Sequence, residues 1–279
     1  MKHENKGFPP TRSFSADSDQ HRQPPLFYIA AYIGFVILLT GLILLLILFL
    51  QQISGNRILP FPDAQDTVNA PEADGNVVTI VLDAGHGGED GGAVGHVGGR
   101  EIYEKDINLA ICKILRDLLE QNGIPVGMTR EEDTLLYNRD VDFHGRKKIL
   151  DLEARLQIGQ RTPNGIFVSV HMNSFPQNQY HGLQVYYSPN HPLSHTMAEN
   201  IQETASSTLQ PDNHRKVKAA TSSIFLLDRL ECPAILVECG FLSHEEECAA
   251  LSTEDYQQKM AFLLFASLCQ TLREQKVTP

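Results

Sequence analysis

Apolar and polar positions divide this 279-residue chain into contrasting stretches. Residues 1–25 are polar, carry Pro9-Pro10 and Pro24-Pro25, and read as a disordered tail. Residues 26–50 reverse the pattern: 25 consecutive positions hold no charge, Leu and Ile dominate, and Tyr28 and Tyr32 open the run. At about 1.5 Å per residue, a helix of that length crosses a hydrocarbon core of about 30 Å with some tilt. Residues 51–76, with Pro60, Pro62, Pro71 and scattered Asp, read as a linker. From residue 77 onward the pattern alternates. VVTIVL at 77–82 is a β-branched run closed by glycines, as expected of a buried first strand. EKDINLAICKILRDLLEQ at 104–121 places Ile107, Ile111, Ile114 and Leu118 at helical spacing, with Gly123 beyond its end as a C-cap. Strands follow at 125–129, 166–170, 182–187 and 235–238, and helices at 150–160, 192–209 and 253–273. This order predicts a single α/β domain at 77–279, with a mostly parallel sheet covered by helices on both faces. No internal repeat interrupts it.

The apolar run has a rival reading as a cleaved signal peptide. Such peptides have an apolar region of about 7–15 residues and an A-x-A-like site. Here the run is longer and exits into Gln51-Gln52-Ile53-Ser54-Gly55, so a retained transmembrane anchor is the favoured reading. A core helix is disfavoured because the run has no amphipathic stripe. Lys2, Lys6, Arg12 and Arg22 precede it and only Arg57 lies shortly after, which sets the N-terminus in the cytoplasm and the domain at 77–279 outside.

Charge narrows the partners. The chain holds 23 Lys/Arg and 34 Asp/Glu; four and three of these lie in the tail, leaving 19 and 31 beyond the span. An acidic outer part argues against nucleic acid, whose binding rests largely on phosphate neutralisation. The five cysteines, Cys112, Cys232, Cys239, Cys248 and Cys269, form no C-x-x-C pair, and no disulfide framework is expected.

Three apolar strands run into polar groups: VVTIVLDAGH reaches His86, IFVSV reaches His171, and AILV reaches Glu238. In open α/β sheets ligands bind outside the carboxyl ends of strands, so these groups can share one edge. Glu104 sits three residues before Ile107 and seven before Ile111, on the inward stripe of its helix. Glu101 is the competing carboxylate, but it precedes the helix and has no such direction; Glu104 is preferred. Two histidines and a carboxylate make a catalytic zinc set with the fourth position left for water, and a further carboxylate beside that water would be its general base. Glu238, a charge that would otherwise be costly at the end of a buried strand, is placed in that role.

Each residue also has a plainer reading. A lone histidine at a strand end is more often a hydrogen-bonded edge residue, Glu238 could cap the turn at Gly240, and Glu104 could serve only the helix N-terminus. Convergence on one edge lifts the metal reading to equal standing with these plainer ones. His191 and His195 have i, i+4 spacing but no Glu or Cys to complete a set, and read as solvated; His96, His144, His181, His214 and His244 read as loop residues, His181 also as a residue that could line a cleft. DAGHGGEDGGAVG lacks the third glycine of a dinucleotide loop and the Gly-Lys-Ser/Thr of a P-loop, and its Asp83, Glu89 and Asp90 would repel phosphate.

From about residue 78 to about residue 272 the chain resembles the zinc-dependent N-acetylmuramoyl-L-alanine amidases of the type 3 class. The resemblance is carried by LDAGHGGEDGGAVG, YEKDINLAICKIL, MTREEDT, FVSVHMNSFP, HGLQVYY and PAILVECGFLS, in that order and spacing. It implies zinc held by His86, Glu104 and His171, with Glu238 as the catalytic carboxylate. GRKKILDLEARLQI and the membrane segment look most like the spore-cortex, germination-specific members. Ala84 stands where the family usually has Pro, and Cys239 where Val or Thr is common; neither supplies a ligand. Residues 182–209 have room for one strand and one helix, so no inserted plug over the site is expected. The implied activity is hydrolysis of the amide between the lactyl group of muramic acid and L-alanine in peptidoglycan, with any protein activator left unnamed. A zinc carboxypeptidase or endopeptidase cutting within the stem peptide and a catalytically dead wall-binding module are the rival readings.

Overall fold

The computed structural model describes residues 77–137 and 145–275, with helical positions at 35, 38–42 and 45. The tail, most of the apolar run, the linker and His144 thus lie outside the described residues. Among the described residues no helix is long and apolar enough to cross a membrane.

Among the described residues from 77 onward, eight strands and six α-helices follow in the order β1 (Thr79–Ala84), β2 (Val94–Val97), β3 (Arg100–Tyr103), α1 (Glu104–Gln121), β4 (Val126–Met128), α2 (Lys147–Arg161), β5 (Gly165–Asn173), β6 (Gln184–Tyr187), α3 (Pro192–Thr204), β7 (Lys218–Ala219), α4 (Phe225–Arg229), β8 (Ala234–Phe241), α5 (Glu245–Leu251) and α6 (Glu254–Glu274). Six strands form the main sheet in the order β4-β1-β5-β8-β6-β7, and β2 pairs with β3 separately. Four of the five main-sheet pairings are parallel; β6 runs antiparallel to β8. The sheet is therefore mostly parallel, as the alternating pattern predicts.

Strand alternation sends side chains to two cores. Ile80, Leu82 and Ala84 of β1 join Ile111 and Leu115 of α1, Met197 and Ile201 of α3, and Leu264 and Leu268 of α6. Val81 and Phe167 face the other way, against Leu226, Leu227 and Leu230 with Leu152 and Leu156 of α2. Both faces are covered, which is why the central strands read as unbroken apolar runs.

The strands that carry the polar groups run further than their apolar stretches. β1 continues to Ala84, β5 to Asn173 and β8 to Phe241. Backbone pairing thus extends to the residues of interest: Ala84 lies opposite Val170, and His171 opposite Glu238, which is also paired to Gln184. Ladder bonds hold His171 and Glu238 side by side at the carboxyl edge.

Other differences are local. The helix expected over 192–209 ends at Thr204 and finishes in one π turn, Ala205–Leu209; with β6, this stretch holds one strand and one helix. The closing helix is preceded by α5, too short to show an apolar period. The loop expected after β1 contains the β2–β3 hairpin, which puts His96 on a strand. Its turn is Gly98-Gly99, with φ of 56° and 79°, and two consecutive positive φ values make the two-residue turn that suits strand twist. All five cysteines are free.

Candidate metal centre

His86 follows β1 on a tight turn and has φ of 62°, a left-handed conformation unusual for a residue with a side chain. Such backbone costs on the order of 1–3 kcal/mol and persists where its surroundings impose it. The imidazole Nδ1 lies 2.9 Å from Asp90 Oδ2, which leaves Nε2 facing Glu104 Oε1 at 3.3 Å.

Glu104 opens α1 and is only 3% exposed. Its Oε2 accepts from the Ala93 N–H at 2.7 Å, and its Oε1 accepts from the Met172 N–H at 3.0 Å. These two N–H groups aim the carboxylate at both histidines. His171 Nδ1 is 2.8 Å from the same Oε1, and the two imidazoles meet edge to face with centroids 5.0 Å apart. One ligand atom from each of His86, Glu104 and His171 falls within 4.8 Å of the others. Ligand atoms about 2.0–2.1 Å from a tetrahedral ion would be separated by about 3.3 Å, so the spacing and the N, N, O chemistry fit a metal with an open fourth position. Glu101, the competitor, is on β3, exposed, and accepts from the Tyr103 hydroxyl.

Electrostatics support the same convergence. Burial by itself would raise the Glu104 carboxyl and lower His86. Hydrogen bonds from His171 and His86 hold Glu104 well below the usual carboxylate range. Contacts with Asp90 and Glu104 raise His86 to about 9. The carboxylates thus hold positive charge on the imidazole at the place where a cation would sit. Ligation requires neutral imidazole, so a metal ion there displaces that proton.

Glu238 stands apart from the three. Its Oε2 is buried and has no hydrogen-bond partner among the described residues, although part of the side chain is open to solvent. Burial pushes its carboxyl up to about 7, opposed by His171 and reinforced by Glu104. An unpaired carboxylate beside a cation site is suited to accepting a proton.

The other histidines do different work. His191 caps α3 by accepting from the Leu193 N–H, and His244 caps α5 by accepting from the Glu247 N–H. His195 pairs with Glu199 at 3.3 Å and packs against Tyr187. The His181 ring lies tilted against that of His244, with centroids 5.3 Å apart, and His214 is exposed. Asp83, Asn108, Arg130, Asp151 and Arg155, which the sequence reading did not place in the site, surround its base. Asn108 Nδ2 donates to the Gly85 carbonyl at 3.1 Å. A sequence signal existed for Arg155: it shares the apolar face of α2 with Leu152 and Leu156.

Gly85 lies against the His171 ring. A Cβ there would fall 2.2 Å from Nε2 and 2.3 Å from Cε1. Gly85→Ala must therefore push the imidazole away from Glu104, and overpacking of this kind costs about 1–3 kcal/mol. We expect its metal affinity to fall at least tenfold; titration with a competing chelator checks this, and wild-type affinity would contradict it.

Known proteins share this arrangement of elements. The profile of the N-acetylmuramoyl-L-alanine amidase family matches residues 80–270. A germination-specific N-acetylmuramoyl-L-alanine amidase of Bacillus subtilis (strain 168) is 32% identical over 241 residues, covering 86% of this chain and 95% of the relative. The solved structure of the CwlD amidase from Clostridioides difficile in complex with the GerS lipoprotein shares 38% identity at a TM-score of 0.66, over 71% of this chain and 99% of that one. The catalytic domain of CwlV, an N-acetylmuramoyl-L-alanine amidase from Bacillus (Paenibacillus) polymyxa var. colistinus, shares 26% identity at a TM-score of 0.57, over 72% and 100%. Because the family match begins within β1, ends within α6 and takes in every element that carries the cluster, the chain belongs to the N-acetylmuramoyl-L-alanine amidases, hydrolases of an amide bond in peptidoglycan.

Proposed function

We propose that His86, Glu104 and His171 hold a zinc ion and that Glu238 is the proton carrier for cleavage of the amide between the muramic acid lactyl group and L-alanine. The observation that carries this reading is the buried Oε2 of Glu238, without a hydrogen-bond partner among the described residues, on the strand position directly opposite His171. When bound, zinc supplies Lewis acidity, polarising the carbonyl and lowering the pKa of water towards about 7. Glu238 accepts a proton from the attacking water at its carboxylate as the water oxygen bonds to the carbonyl carbon. It then delivers that proton to the departing nitrogen as the C–N bond breaks, releasing the L-alanine amine and leaving a lactyl carboxylate. The Asp90 carboxylate lies 2.9 Å from His86 Nδ1, the two imidazoles keep Glu104 ionised, and the Ala93 and Met172 N–H groups keep it aimed. Elemental analysis of the purified full-length chain tests the metal: about one zinc per chain is expected, and a chain active without zinc would overturn the assignment.

The biological setting is part of the same reading. A relative covered over 95% of its length is named germination-specific, which supports action on spore cortex; the bare muramic acid left behind is what a separate deacetylase would need to form cortex lactam. The solved neighbour at 38% identity was captured with a lipoprotein, which supports a protein partner for this chain too. The uncharged run at 26–50 and the Lys/Arg bias before it support a membrane anchor with the domain outside. A reporter fused after Pro279 is expected to be active only outside the cytoplasm, on a chain whose N-terminus is uncleaved. A mature N-terminus near residue 51 would identify the run as a signal peptide instead.

A further inference from the structure

Two buried guanidinium groups lie beneath the turn that carries His86, and the chemistry above assigns neither a task. Arg155 is 1% exposed and Arg130 is 3% exposed. Arg155 Nη1 donates to Asp83 Oδ1 at 2.6 Å and to the Ala84 carbonyl at 2.7 Å, while Nη2 donates to the His86 carbonyl at 2.7 Å. Its Nε donates to Asp151 Oδ2 at 2.7 Å. Arg130 Nε donates to the Ala84 carbonyl at 2.8 Å, and its Nη2 donates to the Gly85 carbonyl at 3.0 Å and the Lys105 carbonyl at 2.8 Å. Three successive carbonyls, at residues 84, 85 and 86, therefore all accept from arginine.

The φ and ψ of a residue are set by the orientations of the peptide planes on either side of it. The plane before His86 carries the Gly85 carbonyl, held by Arg130; the plane after it carries the His86 carbonyl, held by Arg155. Together the two arginines fix both planes and so account for the left-handed φ of 62°. Arg130 does more, because its Nη2 joins the Gly85 carbonyl, just before His86, to the carbonyl of Lys105, the residue that follows Glu104. It ties the two elements that bring these side chains together.

Stability alone gives a poor reason for the arrangement, since buried ion pairs can often be replaced by apolar groups without loss. Rigid, multidentate guanidinium geometry offers what a packed apolar side chain cannot, a fixed direction for several carbonyls at once.

We propose that Arg130 and Arg155 are positioning residues for the metal centre, presetting the His86 imidazole towards Glu104 and His171 before any ion arrives. This rests on the reading of His86 as a ligand.

The test uses the full-length chain as Arg130→Lys and Arg155→Lys, which keep the charge and lose the fork. Zinc dissociation constants come from competition with a chromophoric chelator, and thermal midpoints from the metal-free proteins. Ile201→Ala, a core truncation on α3, is the control for stability loss by itself. Zinc binding is expected to weaken about 10–100-fold in both lysine variants, the range typical of lost outer-shell support, and to stay within twofold of wild type in Ile201→Ala. Lysine variants that bind zinc like wild type, or an Ile201→Ala variant weakened equally, would overturn the proposal. Should Arg155→Lys not fold, Arg130→Lys decides alone, because it leaves the Asp83–Arg155–Asp151 ion pairs intact. A wild-type chain that takes up no zinc would sink the metal reading itself, and that failure shows before any variant is compared.

Discussion

Glu238→Gln is expected to keep its metal and lose about 10²–10⁴ in turnover, the range typical of removing a general base. The change is nearly isosteric, and none of His86, Glu104 and His171 depends on Glu238 for a hydrogen bond in the structure. What disappears is the ability to accept a proton at Oε2, the buried oxygen with no partner among the described residues. An amide can neither take the proton from water nor return it to the leaving amine. Zinc content equal to wild type with turnover reduced by two or more orders of magnitude is the expected pair of results; near-normal turnover would remove Glu238 from the chemistry.

Glu104→Ala should have the largest effect on the metal itself. It leaves two histidines, and a tetrahedral site with two protein ligands binds far more weakly than one with three. It also leaves the Ala93 and Met172 N–H groups without their acceptor, so the base of the site loosens as well. Glu101→Ala removes an exposed side chain bonded to Tyr103 and should bind zinc as wild type does. Dialysis against a mild chelator, followed by zinc analysis, separates the two. Zinc retained by Glu104→Ala but lost from Glu101→Ala would reverse the assignment, and zinc lost from neither would mean that no carboxylate from this region completes the site.

The three strand-end groups were legible because burial forces a pattern. His171 and Glu238 directly follow IFVSV and AILV, and His86 lies four residues past Leu82, so each marks the end of a strand, and parallel strands bring those ends to one edge. Glu104 was legible for a related reason: a carboxylate on the apolar stripe of a helix must meet something. Arg155 lies on the equivalent stripe of α2, and the same reasoning applied there would have found it. Arg130 gave no such signal, since the strand before it is three residues long and its partners are backbone carbonyls, three of them from distant segments. The β2–β3 hairpin was missed although Gly98-Gly99 is a hairpin turn pair, because its four-residue strands are too short and polar to show alternation. His191 and His244 serve as helix caps, a role that depends on the local backbone and not on a periodic pattern.

The most direct test of the account is a digest of purified peptidoglycan by the full-length enzyme, with the products identified by mass spectrometry. Hydrolysis at the lactyl amide predicts intact stem peptides with a free L-alanine amine and glycan strands carrying unsubstituted muramic acid. Peptide fragments cut between stem residues, with L-alanine still joined to muramic acid, would contradict it in favour of a zinc carboxypeptidase or endopeptidase; binding without any new product would leave only a wall-binding module.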